Sequence, residues 1–95
     1  MAVYAIVETD IHNPEAYEEY KAKAGPLVKA AGGNYLVRGG PHKVVEGDWD
    51  PVRLVVLEFA DQAAFDKWYY SPEYQEALKI RQANATSKMV VVQGA

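Results

Sequence analysis

With 95 residues, 49% of them apolar and 24% charged, and a net charge of −3, the chain has room for one globular domain, residues 1–95, and no more. Its basic residues are scattered rather than gathered in a phosphate-tracking stripe, so nucleic acid is not an expected partner. The absence of cysteine excludes disulfides, thiolate nucleophiles and cysteine zinc sites. No apolar run approaches a membrane span and the start of the chain shows no leader-type pattern, so the expectation is no membrane partner and a cytoplasmic location.

Ala2–Asp10 (AVYAIVETD) alternates Val3, Ala5 and Val7 with Tyr4, Ile6 and Glu8, the period of a strand. Asn13-Pro14 then opens a helix: asparagine caps free N–H groups, and proline sits where its missing donor does no harm. Glu15, Glu18 and Glu19 follow in the first turns, where the helix dipole favours them. Tyr17, Tyr20, Ala24, Leu27, Val28 and Ala31 fall in one stripe about 100° wide. Glu15, Glu18, Glu19, Ala22 and Lys29 point the other way. Pro26 predicts a bend near Gly25, and Gly32-Gly33 ends the helix.

Asn34–Arg38 (NYLVR), a Gly39-Gly40-Pro41 turn and His42–Glu46 (HKVVE) read as two short extended segments, or as one strand with an irregular continuation. Gly47–Pro51 is a turn by composition and exposes Trp49. Arg53–Phe59 is a strand. Asp61 caps a helix over Gln62–Tyr70, whose Ala64, Phe65, Trp68 and Tyr69 share a face. Ser71 then caps a second helix that begins with Pro72 and Glu73 and presents Tyr74, Ala77, Leu78 and Arg81 on one side. Ser87–Gln93 is the last strand. The order β-α-β-β-α-β, with its second helix broken in two, is that of an α+β ferredoxin-like (split βαβ) domain: an antiparallel sheet with helices on one face.

Helices on one side should leave a polar second face. Here that face reads Tyr4, Ile6, Leu54, Val56, Val90 and Val92, and no spare chain can cover it. A second copy, packed sheet to sheet in a homodimer, is the economical cover. The alternative is a twisted sheet that tolerates the exposure. The break at Ser71-Pro72 aims Trp68, Tyr69 and Tyr74 around a corner, either to fill core or to wall a pocket.

Three segments carry a resemblance: Tyr35-Leu36-Val37-Arg38-Gly39-Gly40, Glu58-Phe59, and Trp68-Tyr69-x-Ser71-Pro72-Glu73-Tyr74. With them the chain, from its first strand through Gly94, resembles the uncharacterised bacterial family called domain of unknown function 1330 (DUF1330). That resemblance implies the dimeric α/β barrel superfamily, in agreement with the homodimer inferred from the strands. It brings no reaction with it. Superfamily relatives include cofactor-independent oxygenases, haem-degrading enzymes and lactone isomerases, which are analogies of fold.

Among individual residues, Arg38 in phase with Leu36 would approach Glu8 and Glu58, as an internal ion pair or as the anchor of an anionic ligand. Glu58, in an otherwise apolar strand, is a candidate general base, or is paired to Arg38 or Arg53 and inert. His42, after the glycine turn, is a candidate acid/base at a pocket mouth or a solvent-exposed loop residue. His12 is a surface residue. Ser71 lacks a nucleophile-elbow context and is explained as a cap. His12 and His42 lack paired ligands, so no metal is expected, and neither glycine pair fits a phosphate-cradling fingerprint. The reading that follows is a homodimer binding a small organic molecule, anionic or neutral, without a cofactor, in a half-apolar pocket between sheet and helices. Arg38 anchors the ligand, Trp68, Tyr69, Ser71 and Tyr74 wall it, and His42 or Glu58 moves a proton in acid/base or oxygenase-like chemistry. The rival is a non-catalytic binding or assembly module. A cavity of about 300 Å³ or more containing Arg38 would favour the first, and filled core the second.

Overall fold

The alternation of the first segment does form a strand, β1, over Val3–Ile11 in the computed structural model, which describes all 95 residues. Helix α1 (Pro14–Ala30) follows, capped by Asn13, whose side chain accepts a hydrogen bond from the Ala16 backbone N–H at 3.2 Å. Pro26 lies inside α1 on its exposed side. Strand β2 is Asn34–Arg38 and β3 is Leu54–Phe59; α2 (Gln62–Tyr69), α3 (Pro72–Asn84) and β4 (Ala85–Gln93) complete the chain. The four strands form one antiparallel sheet in the order β2-β3-β1-β4, with the helices on one face, which is the ferredoxin-like (split βαβ) arrangement.

Of the two readings of residues 34–46, one strand with an irregular continuation is the one found. His42–Glu46 has no ladder partner. Both edges of β3 are already taken, by β1 and β2, and Gly39 turns the chain aside at a φ of +73° that L side chains avoid. The loop that follows exposes Val45, Trp49 and Val52.

The core lies between the sheet and the helices. Ala5 and Val7 of β1 meet Val55, Leu57 and Phe59 of β3, Ala24 and Val28 of α1, and the aromatic corner of α2 and α3. Phe59, wholly buried, packs edge-on to Phe65 at 5.6 Å and against Trp68 at 5.3 Å between ring centroids. The first strand's other row, Tyr4 and Ile6, pairs with Glu58 and Val56 on one side and with Val92 and Val90 on the other. Val90 is 57% exposed and Val92 48%, so this apolar face is uncovered. The molecule is a slab 36 × 34 × 16 Å, thin enough for one sheet and one helical layer.

Candidate functional site

Register decides which side chains meet between sheet and helices. In β2, Tyr35 pairs with Leu57, but the next pairs are Val37 with Val56 and Arg38 with Val55, so Leu36 is a bulge residue without a partner. The bulge shifts the phase by one. Arg38 therefore joins Tyr35 on the helix-facing side, its guanidinium 4.4 Å from the centre of the Tyr35 ring. This overturns the expected proximity to carboxylates. Glu8 and Glu58 occupy the opposite face in the row of Tyr4 and Ile6, and Glu58 accepts a hydrogen bond from the Tyr4 hydroxyl at 3.2 Å. That hydrogen bond and the carboxylate's charge hold the Tyr4 phenol above its ordinary value.

On the helix-facing side a cavity opens between β1, β3 and the helices. Its floor is Val7, Thr9, Val55, Leu57 and Met89; Tyr17, Tyr20 and Lys21 of α1 close one side and Trp68 another. Tyr35 and Arg38 of β2, Arg53 at the start of β3 and Arg81 of α3 complete it. The unfilled space is about 40 Å³, enough for a few water-sized groups and far below the roughly 300 Å³ expected of a ligand pocket, so on size alone the largely filled core favours the non-catalytic module. Its charge is more informative than its size.

The chain has three arginines, Arg38, Arg53 and Arg81, and all three line this cavity. None of its thirteen acidic residues does. The ion pairs of the protein are made on helix surfaces, by Lys21 with Glu18, Lys23 with Glu19 and Lys79 with Glu76, and of these only Lys21 also borders the cavity. Arg81 is the deepest of the three, 7% exposed. One of its terminal nitrogens, Nη1, donates to the Tyr74 hydroxyl at 3.2 Å and its guanidinium lies 5.9 Å from the centre of the Tyr20 ring, yet its Nε has no partner. Trp68 Nε1 is also buried and unpartnered. Two orphaned donors on residues of one cavity are unusual, since a buried donor without an acceptor costs about 1–3 kcal/mol.

Three tyrosines share the space with these cations. Burial raises the phenols of Tyr17, Tyr20 and Tyr35, with partial opposition from neighbouring arginines: Arg53, Arg81 and Arg38 for Tyr17, Arg81 for Tyr20, and Arg38 and Arg53 for Tyr35. They are therefore neutral hydroxyls at physiological pH. Tyr74, wholly buried behind them, exchanges a 2.8 Å hydrogen bond with Tyr20, and burial raises its phenol furthest.

The corner at Ser71 contributes mainly from behind. The Ser71 hydroxyl donates to the Trp68 carbonyl at 2.8 Å and accepts from the Tyr74 N–H at 3.1 Å, so one side chain ends α2 and starts α3. Gln75 Nε2 closes the same turn on the Tyr69 carbonyl at 2.7 Å. Tyr69 stacks on Phe65 at 5.6 Å. Of the residues singled out from sequence, Arg38 and Trp68 line the cavity; Tyr69, Ser71 and Tyr74 support it without lining it. Glu58 is across the sheet, and His42 is exposed in the loop after β2 beside Trp49 and Leu54. Arg53, Arg81, Lys21 and the tyrosines Tyr17, Tyr20 and Tyr35 went unassigned. The available signal was Arg81 itself, a cation on the apolar face of a helix.

The profile of the family described as Domain of unknown function (DUF1330) matches residues 2–95. A search of curated proteins finds no match. Among solved structures, a protein of unknown function from Rhodopseudomonas palustris superposes with a TM-score of 0.81 at 23% identity, over 99% of this chain and 82% of that one. SnoaB, a cofactor-independent oxygenase from Streptomyces nogalater, gives 0.65 at 15% identity, covering 99% and 93%. A dimeric ferredoxin-like protein of unknown function from Jannaschia sp. CCS1 gives 0.66 at 17%, covering 99% and 100%. At such identities the likeness is one of fold. The family match spans nearly every residue, and the chain belongs to that family.

Proposed function

We propose that this DUF1330 member is a homodimeric protein that binds a small organic anion in the arginine-lined cavity of each subunit. The observation that carries this reading is the gathering of all three arginines around one cavity that contains no carboxylate. Arg81 is a buried cation and needs compensation, of which the Tyr20 face and the Tyr74 hydroxyl supply only part. An anionic ligand held by the terminal guanidinium nitrogens would supply the rest. Arg38, Arg53 and Arg81 are the anchors in this reading, and Trp68 is the wall held in place by Tyr69, Ser71 and Tyr74.

The uncovered apolar row of Ile6, Val56, Val90 and Val92 supports the dimer, because a second sheet is the flat apolar surface that matches it. No histidine or carboxylate lines the cavity, so any proton movement there falls to Tyr17, Tyr20, Tyr35 or Lys21 rather than to His42 or Glu58. That weights the reading toward binding, with cofactor-free catalysis such as SnoaB's as an additional capacity of the fold.

Native mass spectrometry of the purified protein and of Arg81→Met tests this. The expected result is a dimer whose small-molecule adduct, or stabilisation by added carboxylates, disappears in the variant. Arg81→Met should leave the unliganded fold as stable as before or firmer by about 1–2 kcal/mol, because it removes a buried cation that lacks a carboxylate. A variant that loses several kcal/mol of stability while still binding anions would overturn the anchor role.

A further inference from the structure

The cations of the cavity differ in depth. Arg81 is 7% exposed at the inner end, Arg53 is intermediate, and Arg38 is exposed, while the Lys21 side chain is 33% exposed. Lys21 already has a partner, Glu18 at 3.1 Å on the outside of α1. The three arginines have none. Arg38 reaches from the edge strand toward Gly25 of α1, whose position would bring a Cβ within 4.0 Å of Arg38 Nη2. Arg53 packs against Gly39, where a Cβ would fall 2.6 Å from its Nε. The Arg53 guanidinium is thus seated against backbone that leaves room for it, while Arg38 lies in ordinary contact with α1 at the exposed mouth.

A single carboxylate can engage one guanidinium fork fully and a second one in part. It would leave at least one more cation of this set without a countercharge. Buried Arg81 and half-buried Arg53, with Arg38 at the mouth, repel one another around a space of about 40 Å³, and the cost is least when the occupant carries more than one negative charge. The apolar floor of Val7, Val55, Leu57 and Met89 lies between the arginines and suits a short hydrocarbon spacer.

We propose, resting on the anion-binding reading above, that the ligand is a small organic dianion. One anionic group sits at Arg81 at the inner end and a second toward the mouth at Arg38 and Arg53, the latter packed against Gly39 next to Arg38. Short dicarboxylates have this chemistry; a phosphomonoester carries both charges on one group and does not. Monocarboxylates of the same size are the compounds the cavity discriminates against. The discrimination comes from charge number, since the shape of the two classes is nearly the same.

A charge series of constant shape tests the inference at fixed ionic strength, with affinities from isothermal titration calorimetry. The probes are malonate, its monoamide malonamate, the neutral diamide malonamide, and methyl phosphate. Malonate should bind at least about tenfold more tightly than malonamate, one extra charge–charge contact near the protein surface being worth more than that factor. Malonamide should not bind. Arg38→Gln, at an exposed position whose loss does not threaten the core, should bring malonate down to the affinity of malonamate while leaving malonamate nearly unchanged. Methyl phosphate, a dianion of different shape with both charges on one group, should bind more weakly than malonate; binding as tight as malonate's would overturn the two-group arrangement. Equal affinity for malonate and malonamate would overturn the dianion and leave the anion reading standing. Failure of all three anions to bind would overturn both.

Discussion

The two faces of the one sheet are made by the same four strands and differ in every other respect. The inner face carries the buried core and all the arginines; the outer carries an apolar row with one tyrosine–carboxylate contact, Tyr4 to Glu58. The inner face is short of negative charge and the outer face is short of cover. Each deficiency points to something outside the chain, an anion in one case and an apolar surface in the other. A residue type therefore says little until its face is known: Glu58 and Arg38 are both charged strand residues, and they lie on opposite sides of the sheet.

The largest expected effect belongs to the inner face. Phe59→Ala removes a wholly buried ring that holds Phe65 and Trp68, and should cost about 3–5 kcal/mol, read as a lower denaturant midpoint. A loss under ~1 kcal/mol would mean that the aromatic corner does not depend on this strand. On the outer face, Val90→Asp should cost the isolated subunit little, since Val90 is 57% exposed. It should weaken self-association by about 2–4 kcal/mol, because each copy would bury a carboxylate without a partner. Sedimentation equilibrium distinguishes the outcomes: a variant that remains as dimeric as the parent would place the dimer contact elsewhere.

The smallest effect at neutral pH is the alkaline dependence, which separates the faces by titration. Tyr17, Tyr20, Tyr35 and Tyr74, all on the inner side, have phenols raised above the ordinary 10.0 with burial as the leading cause. Above that pH the unfolded chain releases phenolic protons that the folded chain keeps, so stability is fully present below about pH 10 and falls as pH rises further. Tyr20→Phe should flatten this decline, measured as denaturant midpoint against pH. An unchanged slope would show that the inner phenols are not protected from solvent.

Much of the fold was legible because it rests on local periodicity and caps. Asn13-Pro14, Asp61 and Ser71-Pro72 all cap the helices they were expected to cap, with side-chain oxygens accepting from Ala16, Ala64 and Tyr74. The alternation in β1 and the run of β3 gave the inner and outer rows correctly. The site was legible only in part. Arg38 was singled out but set in the wrong phase, because a bulge at Leu36 leaves no trace in a five-residue strand. Glu58 was followed to a pairing that the bulge removes.

Sequence alone determined the order of elements, the helix starts and the uncovered apolar face, because each depends on residues a few positions apart. Only the tertiary structure brought Arg38, Arg53 and Arg81, from an edge strand, an inner strand and a helix, to one cavity. Their convergence depends on strand order, on one extra residue in β2 and on the absence of carboxylates from the inner row. All three are properties of how distant segments pair, which no local pattern of residues encodes.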